Sequence, residues 1–300
     1  MALARLMAGC HRSGQGRLVV AHFNHRLRGD ASEQDAEFVK QLAGQLGLDF
    51  ELGGDTANLV SGPDEESLRN QRYAFLTATA ERVGARYLAV AHTADDQVET
   101  ILHRIVRATG LKGLAGMPRY RALTEAVTLV RPLLDFSRDS LRDYLRSNGQ
   151  EHREDATNED TRYTRNRIRH QLLPYLREHF NQEIDGALLR LGQLAQESQA
   201  QVARQVDSLI DQAVKITTHE VIIDTSRLDF GEPYVVREML MEIWRRQIWP
   251  LGEMGFQQWE SIAVMATSPQ QSPPITMPGG IRITGGPREL HMKRSDEPSH

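Results

Sequence analysis

The stretch from Tyr87 to Arg107, YLAVAHTADDQVETILHRIVR, limits the fold more than any other part of the chain. YLAVA is a short apolar run of the kind that makes a buried strand, and from Val98 the apolar residues Ile101, Leu102, Ile105 and Val106 recur at helical spacing. The chain therefore turns from strand to helix at His92 to Asp95. On such a helix Asp96 and Glu99 stand three residues apart and His103 follows four later, on an edge away from the apolar stripe. Two readings of that edge stay open. Thr93 followed three residues on by Asp96 suits a capping box, and acids favour the positive end of the helix dipole. Alternatively, ligands bind open α/β sheets at the carboxyl ends of the strands, where Asp95 or Asp96 could hold Mg²⁺ against a nucleotide's phosphates.

The flanking sequence repeats the alternation of strand and helix. Arg17 to His22 reads as a buried strand, followed by a polar loop and a helix capped near Ser32 and ended near Gly47. Leu48 to Leu52 is a short strand, and Asp64 to Val83 a helix carrying Arg69, Arg72 and Tyr73. Ala2 to Ala8 reads as a helix with neither cap nor preceding strand. The pattern predicts an α/β fold with a doubly wound, mostly parallel sheet. After the central helix, Gly110, Gly113 and Gly116 mark a loop expected to be mobile and near the site. Val127 to Val130 is a further strand, and Ser137 caps a helix that Gly149 closes.

A composition shift near residue 180 divides the chain into a domain over 1–180, a helical linker with a second, smaller α+β domain over 181–292, and a polar tail over 293–300. In the second domain Ile184 to Ile216 reads as one long amphipathic helix. Glu220 to Asp224 reads as a strand, and Glu232 to Trp249 and Gly255 to Ala266 as helices. Short strands over 273–292 turn at Gly279-Gly280 and Gly285-Gly286. The Trp and Met residues here are expected in the core.

Composition excludes several classes. The single Cys10 rules out an intrachain disulfide, a CxxC pair and a multi-cysteine metal site, which points to a reducing, cytoplasmic setting. No run approaches the roughly 18 apolar residues of a membrane helix, so no membrane partner is expected. With 36 Lys plus Arg against 40 Asp plus Glu, the net charge of −4 gives no global attraction to nucleic acid, so a polyanion partner needs a local basic patch. One exists: Arg162, Arg165, Arg167 and Arg169 crowd beside Tyr163 and Asn166, after an acidic-polar turn containing Asp155 and Asn158. A solvated face and a phosphate-binding surface both fit it. His22, Asn24, His25 and Arg28 crowd after the first strand, again as a solvated loop or a nucleotide contact.

These segments together resemble the tRNA(Ile)-lysidine synthase family of the N-type ATP pyrophosphatase superfamily. HFNHRLRGDASEQDAEF is similar to the family's HxNHxLR segment, SLRNQRYAFL to its RxxRY segment, and AHTADDQVETILHRIVRATGLKGLAGM to its AHHxDDxxET helix and glycine loop. VRPLLDFSRDSL and EDATNEDTRYTRNRIR, followed by LLPYL, complete the order over residues 18 to 176. The resemblance implies an adenine nucleotide alpha hydrolase-like, Rossmann-like catalytic domain and a small tRNA-binding domain. It implies an enzyme that uses ATP and Mg²⁺ to adenylate the wobble cytidine of a tRNA(Ile) with a CAU anticodon, and then joins free L-lysine to it. Asp96 and Glu99 would bind lysine or metal, and Arg69 and Arg72 ATP phosphates or tRNA. His22, Asn24, Arg28 and His92 would meet ATP. Arg165, Asn166 and Arg169 would line the shared pocket, with Arg162, Arg167, Asp155 and Asn158 on the tRNA. A homodimer is compatible with the sequence.

The chain departs from the family pattern at Thr93, Ala108 and His152. It also has no SGGxDS phosphate loop, which in relatives runs directly into a segment like MALARLM. Two expectations follow: the loop lies ahead of Met1 in a complete enzyme, or the chain is a truncated form that keeps only tRNA affinity. Thiolation of tRNA is a rival within the superfamily, disfavoured by the lone Cys10.

Overall fold

The computed structural model of the chain describes residues 1–11, 16–54, 65–150, 164–217, 220–228, 232–267 and 273–294. Two compact units are present, Met1–Gln193 and Leu194–His300. The first unit opens with α1 (Ala2–Cys10), which has no side-chain cap, then β1 (Val19–Asn24), α2 (Asp30–Gln45) and β2 (Asp49–Gly54). β1 and β2 pair in parallel, as a strand–helix–strand crossover requires. The N-cap of α2 is Gly29, not Ser32: with φ of 52° the glycine makes the entry turn, and the Ser32 hydroxyl inside the first turn accepts from the Arg28 N–H at 3.2 Å.

Next come α3 (Glu65–Arg82), β3 (Tyr87–Ala89), α4 (Ala94–Val106), the short α5 (Leu111–Leu114), β4 (Tyr120–Ala122) and β5 (Thr128–Val130). β5 runs parallel to β3 and antiparallel to β4, giving the order β3-β5-β4. Helix α3 packs against both β1 and β3. The unit is thus mixed α/β with parallel pairing, carried by two separate ladders. The apolar strand runs are less covered than their composition predicts: Val19 to His22 are half-buried and Tyr87 is exposed. Strand β4 was not anticipated from the sequence, where Tyr120 and Arg121 fall at the end of the glycine-rich loop and carry no apolar run of their own.

Helix α4 organises the core. Val98, Ile101 and Leu102 pack against Ile168, Leu173 and Leu188. These come from α7 (Thr164–Arg167) with the π-helical turn Ile168–Leu172 that follows it, from α8 (Leu173–His179), and from the start of α9 (Ile184–Ala213). The first turns of α9 therefore belong to the N-terminal unit, and the division falls at Gln193 instead of near residue 180. Close approach is possible because Gly192 has no side chain; a Cβ there would lie 2.6 Å from Ile101 Cδ1. Helix α6 (Arg138–Ser147) starts at the Ser137 cap, and Leu141 and Leu145 pack on α1.

The glycine loop is tied to α4. Buried Gln97 accepts from the Met117 N–H at 2.7 Å and donates to its carbonyl at 3.1 Å, while Arg104 donates to the carbonyls of Gly113 and Gly116. Gly116 makes this possible: its φ is 67°, and a Cβ would meet the Gln97 amide at 2.6 Å.

The C-terminal unit is an antiparallel sheet of order β6-β7-β10-β9-β8 with two helices, α10 (Pro233–Arg246) and α11 (Phe256–Thr267). The strands are β6 (Val214–Ile216), β7 (Val221–Asp224), β8 (Ile275–Met277), β9 (Ile281–Gly285) and β10 (Glu289–Arg294). Val214–Ile216, expected as helix, pairs with β7 because the β-branched residues reach a waiting strand edge. Trp244, Trp259, Met239 and Met292 lie in the core. Among the described residues no helix is long and apolar enough to cross a membrane.

Gly116→Ala is expected to destabilise the chain by about 2 kcal/mol, since strain at positive φ adds to displacement of a buried amide. Urea unfolding of variant and wild type measures it; an unchanged midpoint would show that the loop is not held as described.

Candidate active site

The turn between β3 and α4 places three polar residues by local rules. Thr93 is the N-cap of α4: its hydroxyl accepts from the Asp96 N–H at 3.4 Å, and Asp96 Oδ2 accepts from the Thr93 N–H at 2.9 Å and its hydroxyl at 2.8 Å. The capping box is therefore real, and it uses only one oxygen of Asp96. Oδ1 faces a cluster of arginines, so the cap leaves the second oxygen to a separate set of contacts.

Three guanidiniums converge on Asp96 and Glu99. Arg138 reaches Asp96 Oδ1 at 2.7 Å and Glu99 Oε1 at 3.0 Å; Arg165 reaches Asp96 Oδ1 at 3.1 Å and Glu99 Oε2 at 3.0 Å. Arg169 grips Glu99 with two bonds, Nε to Oε1 at 2.6 Å and Nη2 to Oε2 at 2.9 Å, the fork geometry that suits a carboxylate. Glu99 is only 1% exposed. Three guanidiniums against two carboxylates leave one positive charge in excess.

Arg165 and Arg169 stand four residues apart on the α7 and π-turn segment, whose buried Ile168 seats it on α4. Arg138 was not anticipated from sequence, where Ser137-Arg138 served only as a helix start. Its position carried a signal, because a cation at the first helical residue opposes the helix dipole and needs another source of stability. Here that source is the carboxylate pair. The Arg138 N–H, one of the helix-end donors without an intrahelical partner, is accepted by Asp95 Oδ2 at 2.8 Å, and the Ala94 N–H donates to the Phe136 carbonyl at 2.9 Å.

Burial alone would raise the carboxyl pKa values, but the arginines outweigh it. Glu99 is held below its ordinary value by the Arg169 bonds and by the charges of Arg138, Arg169 and Arg165. Asp96 is held low by Arg138, by its bonds from Thr93 and by Arg165. Burial pushes His92 down to about 4; Asp96 opposes this, while Arg131, Arg165 and Arg69 reinforce it. His92 is thus neutral near pH 7. Its Nδ1 accepts from Arg131 Nε at 3.2 Å, which leaves the proton on Nε2. Arg131, directly after the strand Thr128–Val130, is 2% exposed and also donates to the Pro118 carbonyl at 2.5 Å.

The other anticipated residues fall in separate places. Arg69 and Arg72 on α3 lie over the Tyr73 ring at 5.3 and 5.8 Å. At the carboxyl end of β1, Asn24 accepts from the Arg26 N–H and donates to Glu33, Arg28 pairs with Asp35 at 2.8 Å, and burial lowers the His22 pKa against the pull of Asp35. Arg167 is exposed and donates to the Thr164 hydroxyl at 3.0 Å. Asn166 is half-buried beside Arg165. Arg162, Asp155 and Asn158 lie outside the described residues.

Among the described residues no group of three or more His, Cys, Asp or Glu could hold a metal ion. As arranged, Asp96 does not fit a metal ligand, since donors engage both its oxygens; Asp95 accepts from the Arg138 N–H through Oδ2, and among the described residues no donor is seen on its Oδ1.

Comparison with known proteins agrees with this architecture. A family model described as a PP-loop domain matches residues 1–176, which sets the class of protein. The U34-tRNA thiolase NcsA from Methanococcus maripaludis shares the fold at a TM-score of 0.50 and 14% identity, over 64% of this chain and 67% of that one. Proteins named tRNA(Ile)-lysidine synthase are closer in sequence. The one from Rhodopirellula baltica is 37% identical over 82% of this chain and 67% of its own length; that from Nostoc sp. is 32% identical over 88% and 79%. The chain belongs to the tRNA(Ile)-lysidine synthase family of PP-loop proteins. It spans 60% of the relative from Geobacter sulfurreducens, which is 35% identical.

Glu99→Gln is expected to cost about 3 kcal/mol at pH 7, because it breaks a buried pair and leaves guanidiniums uncompensated. The pH dependence has a definite sign. Asp96 and Glu99, held low, stabilise the fold above their unfolded pKa values of about 3.9 to 4.3, and that stability is lost as pH falls through their folded values. His92 takes its proton in the unfolded chain near pH 6.5 but in the fold only near 4, so stability also falls across that window. Urea titrations between pH 7 and 4 should show a flatter profile for His92→Gln; a profile parallel to wild type contradicts the assignment.

Proposed function

We propose that the chain carries out ATP-dependent ligation of lysine to C2 of the wobble cytidine in a tRNA(Ile) with a CAU anticodon. The observation that carries this reading is the joining of Asp96 and Glu99 to Arg138, Arg165 and Arg169 beside a neutral His92, in a chain of this family. In the first step the C2 oxygen bonds to the α-phosphorus of ATP and pyrophosphate leaves. In the second, the lysine amine, having lost a proton, bonds to C2, and the C2–O bond breaks to release AMP.

The roles follow from charge. Asp96 and Glu99 are carboxylates able to hold an ammonium, and an ammonium entering their cluster must displace a guanidinium. Arg165, at 29% side-chain exposure the most accessible of the three, is the one assigned to move, towards phosphate. Arg69 and Arg72 meet ATP phosphates or tRNA, His22, Asn24, Arg28 and His92 meet ATP, and Asn166 with Arg169 lines the pocket. Arg162, Arg167, Asp155 and Asn158 are assigned to tRNA. Mg²⁺ would sit on Asp95 together with nucleotide phosphates, where it would offset phosphate charge. The N-terminal unit takes the catalytic role, the C-terminal unit binds tRNA, and the setting is the cytoplasm.

A second reading has its own observation. The 300 residues contain no SGGxDS stretch, whose backbone N–H groups would cradle the phosphates. On that reading the chain alone binds tRNA without adenylating it. Labelled lysine, ATP, Mg²⁺ and the CAU-anticodon transcript, incubated with the chain and with a form carrying an SGGxDS loop ahead of Met1, separate the two. The proposal expects label in tRNA with the loop-bearing form, and a loss of 100-fold or more in Glu99→Gln, on the order of the 10² to 10³ seen for removal of one catalytic electrostatic group. An unlabelled transcript with the loop-bearing form defeats it.

A further inference from the structure

Away from the acids a second group of arginines converges on one ring. Arg69 and Arg72 from α3 and Arg121 from β4 place their guanidinium carbons 5.3, 5.8 and 5.5 Å from the centre of Tyr73. All three are exposed. Arg131, almost fully buried at the end of β5, also comes within hydrogen-bonding reach of Tyr73, and its own charge is felt alongside those of Arg121 and Arg69. Its other acceptors are neutral, the Pro118 carbonyl and His92 Nδ1.

Among the described residues none of these four arginines pairs with a carboxylate. Several other arginines of the same unit do so, among them Arg119 with Asp135 at 2.5 Å, Arg82 with Glu51 at 2.8 Å and the three around Glu99, while Arg104 is satisfied by the Gly113 and Gly116 carbonyls. Arginine is always charged, so four guanidiniums around one tyrosine repel each other. Stacking on the ring accounts for exposed arginines singly. It does not account for a buried fourth on the same tyrosine, because a buried charge ordinarily has a charged partner. Planar forks gathered with no acid among the described residues suit a group with several negative oxygens arriving from outside.

We propose that Arg121 and Arg131 join Arg69 and Arg72 in a phosphate-binding subsite around Tyr73, distinct from the carboxylate cluster and separated from it by His92. Arg131 anchors the subsite from below, through the fixed acceptors that orient it, and the three exposed arginines close on the anion from above. The choice of phosphate rests on the proposed reaction, which brings two sources of it: the RNA backbone and the pyrophosphate moiety of ATP.

Arg121→Gln is the informative change, because Arg121 is exposed on the edge strand β4 and its loss spares the core; a melting curve checks the fold. Two binding measurements on the 300-residue chain distinguish the sources: the salt dependence of affinity for the CAU-anticodon transcript, and titration with inorganic pyrophosphate. If RNA phosphate is bound, Arg121→Gln lowers the slope of log affinity against log salt by about 0.7 to 0.9, and Arg121→Lys restores it. If nucleotide phosphate is bound, the slope stays and pyrophosphate affinity falls about tenfold, on the order of one charge-assisted contact. Arg69→Gln, from a different element, must show its loss in the same arm. No change in either arm, or a change for Arg121 without one for Arg69, overturns the subsite and leaves stacking alone. Neither measurement involves lysine, so failure of lysine transfer with an intact Arg121 effect would refute the reaction and not the subsite.

Discussion

A carboxylate as deeply buried as Glu99 cannot stay ionised in isolation, because removing its hydration costs several kcal/mol. Here the Arg169 fork and single contacts from Arg138 and Arg165 replace that hydration. The consequence reaches beyond one ion pair. The three arginines come from α6 and from the α7 and π-turn segment, so satisfying Glu99 draws together parts of the chain that lie some 40 to 70 residues from α4. The apolar contacts of Val98, Ile101 and Leu102 with Ile168, Leu173 and Leu188 hold the same elements from the other side.

The polar cluster is specific where the apolar contacts are tolerant. Hydrophobic packing allows small rotations of α7 against α4, whereas a two-bond fork at 2.6 and 2.9 Å allows little. The site is thereby divided into a pole where arginines meet Asp96 and Glu99 and a pole of arginines around Tyr73 that have no carboxylate partner among the described residues, with His92 neutral between them. The cationic pole favours phosphate, whereas the carboxylates of the other pole can take a further cation only where a guanidinium gives way. The same balance makes the carboxylates poor metal ligands, because the guanidiniums already occupy their lone pairs.

Much of this was legible from residue pattern. The strand-to-helix turn, the cap at Thr93 and the proximity of Asp96 and Glu99 follow from spacing along single elements, whereas Arg165 and Arg169 stood out only as part of a basic patch and their place in a pocket came from the family resemblance. Arg138 and Arg131 did not, because their roles depend on which elements meet, and no periodicity within one helix or strand encodes that. Each left a local trace, a cation at a helix start and a charge directly after an apolar run, which pointed to compensation without naming the partner. The coverage of β1 and β3 was misjudged for a related reason: an apolar run reports a strand's capacity for burial, whereas burial itself depends on its neighbours. The helix expected to run through Ile216 ends at Ala213 because a strand edge lies within reach.

The central claim is that Glu99 and Arg169 interact directly and strongly, and a double-mutant cycle tests it. Urea unfolding of wild type, Glu99→Gln, Arg169→Gln and the double variant gives the coupling between the two side chains. A coupling of about 1.5 kcal/mol or more is predicted for this buried, bidentate pair. Effects that add to within about 0.5 kcal/mol would contradict it, since independent sites behave in that way.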